Sequence, residues 1–558
     1  MGHLKLIGRA VAAAGFMSAA PTFAQVSVPE AVETTQLAQD AFSSGTLSAT
    51  EGALQATLWQ GTRPQTLAFL LENLPTRPAA PSLGEVMRRT LLSSGTAPNG
   101  ADASLGGKKL LALSRAGFAD DAATIASLSS AERGDPWTGR AQAVSDLLKG
   151  DIQSACLKGQ RLTSGRDIPF WVKLRVVCFA LAGEGDAADL SLTALRDPYG
   201  LDPDEDIFLT AIATGAVPKS PPAARTPLEY AIARVMELPF SPGLLVDADG
   251  GVLVALSGDE SADPATRIAA AERAVAMGVL PPAQLAALVS GIEFDVTDIA
   301  GATDVASNRP QDPLTDAVLY QSVAQMSAPE FLRDKAKRIA LALSLADSFH
   351  RAYALSTLYS DEISELDGVI LSADEAAQFA LARMAVGDAA GAGNWLLMML
   401  GPNNSVTALP EDQGLMFIDL VNLLALLDRQ TAAQVARAGD VSLLGGGDAH
   451  LVHAEGPTDP LIAAQILEAA FDAALGGKSG QAGLAALAAA RAGGANGPSE
   501  GVLIAQSLRA AGLEDLERRY RFEQAWANRY FTKAEDENSA SAADERGFGP
   551  RLKPASSN

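Results

Sequence analysis

Four turns of the same form recur in this sequence, and each one ends an apolar, alanine-rich run and begins the next. Three of their glycines, Gly117, Gly150 and Gly185, stand 33 and 35 residues apart. Glycine readily adopts the left-handed conformation that ends a helix, and aspartate accepts hydrogen bonds from the free N–H groups that begin one. The pattern therefore predicts antiparallel helical hairpins. The predicted turn residues are Gly117, Gly150, Asp151, Gly185, Asp186, Gly387 and Asp388.

Helix start and stop signals continue along the chain. Asp202, Thr226, Ser327 and Ser372 each stand three residues before a glutamate, which is the spacing of a capping box. Aromatic residues make up only 5% of the chain and alanine is abundant. Alanine is the best helix former, whereas strands favour aromatic and β-branched residues. We therefore expect an all-α fold. Further stop signals stand at Gly183, Gly278 and Gly512.

Residues 85–195 resemble the tetratricopeptide family, and residues 335–435 resemble it more loosely. That family repeats a helical hairpin every 34 residues, close to the spacing of the glycine turns. The family's opening W-x₂-L-G-x₂-Y pattern is absent, and its closing proline is irregular. The resemblance implies an α-solenoid of antiparallel hairpins in two helical blocks. It also implies that the concave face binds protein or peptide.

The first 24 residues have the layout of a secretory signal peptide. Lys5 and Arg9 supply positive charge, and an uncharged apolar stretch follows over residues 10–20. A helix-breaking proline and small residues then indicate cleavage between Ala24 and Gln25. A buried N-terminal helix is the alternative. The apolar stretch is shorter than the ~20 residues of a membrane span. We therefore expect a soluble mature protein in the periplasm.

The chain is acidic, with 43 basic and 66 acidic residues and a net charge of −23. Removal of the predicted signal peptide leaves 41 basic residues and a net charge of −25. Such a surface repels phosphate, so nucleic acid and anionic lipid are poor partners. A basic protein or a cationic ligand would be attracted, but net charge bears on solubility before it bears on partners, so solubility is the preferred explanation.

Cys156 and Cys178 are the two cysteines of the chain. In an oxidising compartment such a pair predicts one disulfide. It would join a helix at residues 151–160 to the next helix at residues 168–182. Two free thiols within the core are the alternative. A catalytic thiol is disfavoured, since no histidine lies nearby in sequence and no C-x-x-C pattern is present.

Polar and proline-rich stretches divide the chain. Residues 217–224 are proline-rich and are predicted to be a linker, and residues 241–264 a loop or short extended segment. The predicted organisation is a signal peptide at 1–24, an N-terminal helical-repeat block at 25–215, an irregular helical middle at 225–293, a loop at 294–314, a C-terminal helical-repeat block at 315–534 and a disordered tail at 535–558.

Two groups of residues are candidate metal ligands. Asp247 and Asp249 could bind a cation through a turn, but Asp-Gly turns are common without metal. His450 and His453 could hold zinc together with Asp448, but zinc sites take three or four protein ligands. A polar loop explains the histidines as well. We therefore predict no metal and no cofactor, and leave open a ligand site in residues 241–264 or 440–458.

No catalytic constellation emerges from the motifs. Residues 202–206 resemble a calcium loop, but Ile207 and Ala213 occupy the positions that need glycine and glutamate. Gly414–Phe417 is similar to a signature of soluble lytic transglycosylases, but the Glu-Ser pair that should precede it is missing. We interpret that stretch as a core helix. Three tryptophans within apolar helices are expected in the core, namely Trp171, Trp395 and Trp526.

Three functions remain open at this point. The first is a non-catalytic periplasmic scaffold or adaptor that binds another envelope protein through a helical-repeat surface. The second is a protein that acts on or binds the cell wall, with its active groups in residues 241–264 or 440–458. The third is a structural or chaperone subunit of an envelope secretion or motility apparatus. A cleft with converging acids of perturbed pKa would favour the second.

Overall fold

Helices are the regular secondary structure of this protein. The structure is a computed structural model that describes residues 39–130, 134–240, 245, 247–401, 405–443, 460–492 and 498–531. Over these ranges it contains helices and turns and no strand, so the predicted all-α class is confirmed. The helices are α1 (Pro64–Glu72), α2 (Pro81–Leu92), α3 (Ala103–Ala116), α4 (Ala119–Leu128), α5 (Pro136–Leu148), α6 (Ile152–Arg161), α7 (Pro169–Leu181), α8 (Gly185–Tyr199), α9 (Pro203–Thr214), α10 (Pro227–Val235), α11 (Gly250–Ser257), α12 (Pro264–Ala276), α13 (Pro282–Ser290), α14 (Val296–Ala300), α15 (Ala302–Asn308), α16 (Pro313–Ala324), α17 (Leu332–Ser344), α18 (Phe349–Leu358), α19 (Ser360–Ser364), α20 (Ala373–Ala385), α21 (Ala389–Met399), α22 (Glu411–Leu427), α23 (Arg429–Gly439), α24 (Pro460–Gly476), α25 (Ser479–Ala492), α26 (Pro498–Ala510) and α27 (Glu514–Tyr530).

The capping signals in the sequence begin helices at three of the four positions. Thr226 and Ser372 form capping boxes at α10 and α20. Asp202 accepts a hydrogen bond from the backbone N–H of Asp204 at the start of α9. Ser327 caps no helix, because Pro329–Phe331 forms a 3₁₀ turn and α17 begins only at Leu332. The acids of residues 202–206 therefore belong to a helix start.

Three of the four predicted turns have the expected geometry. Gly117, Gly150 and Gly387 have φ values of 125°, 78° and 82°. Asp151 caps α6 by accepting from the N–H of Ser154 at 2.9 Å, and Asp388 caps α21 by accepting from the N–H of Gly391 at 3.0 Å. A left-handed glycine followed by an aspartate cap thus stands at Gly150 and Gly387, whereas after Gly117 the N-cap residue of α4 is Phe118, whose side chain makes no capping hydrogen bond.

The third turn differs from its prediction. Gly183, with φ of 77°, provides the left-handed residue there, and α8 begins at Gly185 with Glu184 before it. Asp186 lies inside the first turn of α8, where its charge favours the helix dipole but caps nothing. The prediction that Gly185 and Asp186 form the turn is therefore wrong, because the reversal occurs two residues earlier.

Consecutive helices pack against each other in several pairs. These include α3 with α4, α5 with α6, α7 with α8, α20 with α21, and α22 with α23. Alternate helices also pack, as α3 does on α5 and α7 does on α9. Beyond them, α10 returns to contact α5, and α11 returns to contact α3.

The two ends of the described chain meet. Helices α1 and α2 pack on α25, and α2 also packs on α27. The backbone N–H of Gly480 donates to the carbonyl of Leu58 at 2.9 Å, and Ser82 hydrogen-bonds to Glu523 in the interior. In an open solenoid each repeat contacts only its neighbours. This chain departs from that rule, so helices before residue 93 and after residue 478 share one core.

Two segments predicted as loops contain helices. Residues 294–314 include α14 and α15, and Ala302 and Ala306 of α15 are buried. Their spacing of four residues gives α15 one apolar side, which overrides the polar composition of the segment. Residues 241–264 include α11, which begins at Gly250. Both loop predictions are corrected in this respect.

Several predictions lie outside the described residues. They are the cleavage site between Ala24 and Gln25, the tail at 535–558, and the group of Asp448, His450 and His453 within residues 440–458. Across the described helices, none combines the length and the apolar character that a membrane crossing requires.

Candidate functional site

The hairpin of α6 and α7 contains both cysteines. Asp151 caps the start of α6, and a proline at the first position begins α7 after a short loop. The sulfur atoms of Cys156 and Cys178 lie 1.98 Å apart, at disulfide distance, with 5.7 Å between the Cα atoms. The expected pairing is therefore present in the structure. It connects the middle of α6 to the last turns of α7.

An open groove of about 260 Å³ lies beside this disulfide. Its floor is apolar and aromatic, and its rim carries charged and amide side chains. The groove is large enough for a side chain or a short peptide segment, since a dry cavity of about 150 Å³ already accommodates benzene. The lining residues are Cys156, Gly159, Gln160, Leu162, Arg166, Trp171, Leu174, Arg175, Cys178, Phe179, Ala182 and Glu184.

Trp171 forms the rigid part of the groove. Its indole lies between Gly139 of α5 and Gly159 of α6, and a Cβ on either glycine would stand 3.4 Å from the ring. Phe170 contacts the indole edge to face, with 5.0 Å between ring centroids. The indole N–H is buried and has no hydrogen-bond partner. Trp171 is a core residue, as expected, and also contributes to the groove.

The hairpin is basic, although the chain as a whole is acidic. Residues 152–183 contain five basic residues and one acid, a net charge of +4 against −23 for the whole chain. Lys158 pairs with Asp146, and Lys173 pairs with Glu205 outside the hairpin. The other three cations are Arg161, Arg166 and Arg175.

These three arginines form no ion pair within the part of the chain that the structure describes. Arg175 donates to the backbone carbonyl of Arg166 at 2.9 Å, and both arginines line the groove. Glu184 is the single acid among the lining residues. The groove therefore presents unneutralised positive charge above an aromatic floor.

The two aspartates that were candidate cation ligands each form an ion pair with a different arginine. Asp247 pairs with Arg77 at 2.7 Å. Asp249, which precedes α11, pairs with Arg115 at 2.9 Å and is almost fully buried. Each carboxylate is thus neutralised by its own arginine. Among the described residues, no group of three or more metal-ligating side chains comes together.

Converging acids of perturbed pKa do exist in the interior. Glu272 of α12 and Asp316 of α16 are both buried, and burial together with the charge of Asp316 raises the pKa of Glu272 well above its ordinary value. Arg351 of α18 holds Asp316 in a bidentate pair at 2.7 and 2.8 Å. Burial lowers the pKa of the adjacent His350 to about 4, which leaves it neutral.

This acid cluster lacks the features of a reactive site. Asp316 is 1% exposed and Arg351 is 7% exposed. The remaining donors of Arg351 bind the carbonyls of Pro310 and Leu345 and the side chain of Gln311. A satisfied, enclosed network of this kind joins helices α12, α16 and α18 and perturbs pKa values, and none of its members lines the groove beside the disulfide.

The signature-like stretch Gly414–Phe417 lies in α22, in which Phe417 is fully buried. Leu415, however, is 60% exposed, so the stretch is only partly core. Trp395 and Trp526 are buried, as predicted. The groove was missed by the sequence reasoning. A local charge count over residues 152–183 would have singled out this hairpin, because the average over the whole chain conceals it.

Comparison with known protein families, with curated proteins and with solved structures finds no match to this chain. The geometry of the groove and the sequence around it are therefore the basis of the functional conclusion.

Proposed function

We propose that this chain is an exported, non-catalytic helical-repeat adaptor of the periplasm. In this proposal the groove of the α6–α7 hairpin binds an acidic segment of another envelope protein. The observation that carries the proposal is the local charge of +4 in an acidic chain, located at an open aromatic groove. Arg166 and Arg175 at the rim have no carboxylate partner among the described residues.

Charge complementarity indicates the kind of segment. A strongly acidic protein repels acidic partners over most of its surface, so a basic groove would localise an acidic segment at one place. Arginine at the rim favours carboxylates, since its planar fork can donate two parallel hydrogen bonds. The apolar floor with Trp171 and Phe179 would take an aromatic or aliphatic anchor from the same segment.

The hairpin suits a recognition element because its geometry is constrained. The disulfide links α6 to α7, and the indole of Trp171 fills the space between two glycines. Preorganisation of this kind reduces the conformational entropy lost on binding. The resemblance of residues 85–195 to tetratricopeptide repeats agrees with peptide binding in this part of the chain.

Non-catalytic binding is favoured over the wall-acting alternative by where the acids lie. The groove contains Glu184 alone, whereas general acid–base chemistry on glycosidic bonds uses two carboxyl groups. Glu272 and Asp316 are both enclosed, Asp316 is paired with Arg351, and neither residue lines the groove. The adaptor would exchange its partner, whereas a subunit of an envelope apparatus would retain it.

In-cell photo-cross-linking tests the proposal. A photoreactive residue is placed at Gln160, which is exposed at the groove, and in a matched variant at Gln430, which is exposed on α23. We expect an acidic envelope protein to be captured from Gln160 and not from Gln430. Equal capture from both positions would contradict the proposal, and capture of wall fragments from Gln160 would favour the wall-binding alternative.

A further inference from the structure

A second cluster of aromatic and basic residues lies where α3, α5 and α7 meet, outside the lining of the groove. Gly107 permits the contact, because a Cβ at this position would lie 2.5 Å from the backbone nitrogen of Thr138. The N-terminus of α5 therefore rests directly on α3. This close approach places the ammonium group of Lys108 5.3 Å from the ring centre of Trp137.

Arg140 lies one turn further along α5 and stacks on two rings. Its guanidinium carbon is 5.6 Å from the centre of the Trp137 ring and 4.9 Å from the centre of the Phe170 ring. Aromatic faces attract a guanidinium through their quadrupole, and stacking leaves the in-plane N–H groups free to donate.

The hydrogen-bonding capacity of Arg140 is unused. Its Nε is buried without a partner, and the guanidinium makes no hydrogen bond or ion pair to any residue that the structure describes. Arg351, the other deeply enclosed arginine discussed above, makes five hydrogen bonds. Burial, and secondly the charge of Arg115, lowers the pKa of Arg140 to about 10, so the group is still cationic at neutral pH.

Lys108 and Arg115 on α3 have partners, and Arg140 does not. Lys108 pairs with Glu72 at 2.8 Å, and Arg115 pairs with Asp249. Of these three cations, Arg140 is therefore the one without an anionic partner. Two aromatic rings hold its guanidinium, and its Nη1 and Nη2 atoms are not among the buried atoms that lack a partner. A partly buried cation is costly to the extent that it is desolvated, and an external anion that pairs with its accessible N–H groups offsets that cost.

We propose that Arg140, between Trp137 and Phe170, is a binding site for a carboxylate group. A carboxylate matches the in-plane fork of a stacked guanidinium through two parallel N–H···O bonds. The two rings offer apolar contact to the rest of the molecule that carries the carboxylate. The carboxylate belongs either to a small organic acid or to the C-terminus of a peptide. The site does not depend on the groove proposed above.

Calorimetric titration of the full-length protein with matched probes tests the site. Phenylacetate is compared with phenylacetamide, and the peptide Gly-Gly-Phe with its C-terminal amide, because each pair differs only in the carboxylate. The variants are Arg140→Met and, as a control, Arg429→Met, since Arg429 is an exposed arginine on α23. The melting temperature of each protein is also measured without ligand.

We expect at least one acid to bind at least about tenfold more tightly than its amide, because loss of a desolvated charge pair costs that much or more. Arg140→Met should lose this preference and Arg429→Met should keep it. Preference for phenylacetate indicates a small acid, and preference for the peptide indicates a chain terminus. Without ligand, Arg140→Met should melt at the same temperature as the parent or higher.

Three results would overturn the proposal. They are an equal response to acids and amides, an equal response to inorganic phosphate and carboxylate, or retention of acid binding by Arg140→Met. A marked fall in the melting temperature of Arg140→Met together with no acid binding by the parent protein would assign Arg140 a purely structural role.

Discussion

The contact between the two ends of the described chain should respond to pH through Glu523 of α27. This side chain is 1% exposed, and its Oε2 accepts from the backbone N–H of Ser82 at 3.1 Å and from the Ser82 hydroxyl. Its Oε1 is buried without a hydrogen-bond partner, with Arg519 3.9 Å away. Burial raises the pKa of Glu523 from 4.5 to about 7, although Arg519 and Ser82 oppose the shift.

The magnitude follows from linkage. Because the pKa is raised in the folded state, the proton on Glu523 contributes stability that is fully present below pH 4.5 and is lost as the pH rises through 7. Each pKa unit corresponds to 1.36 kcal/mol, so the loss by pH 8 is about 3 kcal/mol. Glu523→Gln cannot ionise and avoids this loss. Its amide nitrogen, however, would face Arg519 without an acceptor, which costs about 1 kcal/mol at every pH.

Urea denaturation at pH 5, 6, 7 and 8 measures the difference. At pH 5 the parent has already lost about 1 kcal/mol, so we expect Glu523→Gln to be about as stable as the parent there and more stable by about 2 kcal/mol at pH 8. Glu514→Gln, on the exposed first turn of the same helix, should show no such increase with pH. A constant difference between the parent and Glu523→Gln across this pH range would refute the reasoning.

Three further predictions concern stability, each measured by urea denaturation at neutral pH. Replacement of Cys156 and Cys178 by alanine should cost about 3 kcal/mol, as expected for a sequence separation of 22 residues; an unchanged midpoint would show that the bond does not constrain the chain. Arg351→Met should cost about 3 to 5 kcal/mol, because it leaves Asp316 buried and unpaired; a neutral effect would contradict the ionic cluster. Gly84→Ala should cost about 2 kcal/mol, since its Cβ would lie 2.0 Å from a backbone carbonyl after α12; full tolerance would contradict the close packing of α2 there.

Local features of the fold could be predicted because they depend on a few neighbouring residues. Asp151, Asp388 and Thr226 cap helices by bonding to groups three residues away. The stop glycines adopt positive φ because a left-handed residue ends a helix and glycine adopts it without strain. The pairing of Cys156 with Cys178 was favoured over two free thiols because an oxidising compartment was predicted.

The long-range contacts could not be predicted from one sequence. Ser82 and Glu523 are 441 residues apart, and nothing in the local pattern of either residue indicates the other. Arg140 and Phe170 likewise belong to separate helices whose approach is set by tertiary packing. The positive charge of the hairpin could have been predicted from the sequence, but it is concealed when net charge is averaged over 558 residues.

Averaging the net charge over the whole chain also led to the expectation of a basic partner. An acidic chain predicts a basic partner on average, whereas the groove is the place where the local sign reverses. The role of the interior acids likewise depends on burial, which the sequence does not give. Glu272 and Asp316 are interpreted as a structural cluster because both are buried and Arg351 pairs with Asp316.

In the proposed function, the charged rim of the disulfide groove binds an acidic protein segment. The most direct test is photo-cross-linking from Gln160 in the parent protein and in the double variant Arg166→Glu/Arg175→Glu, with Arg429→Glu as the control for a reversed charge elsewhere. We expect the cross-link to the acidic partner to be lost in the double variant and retained in the control. An undiminished cross-link in the double variant would contradict it.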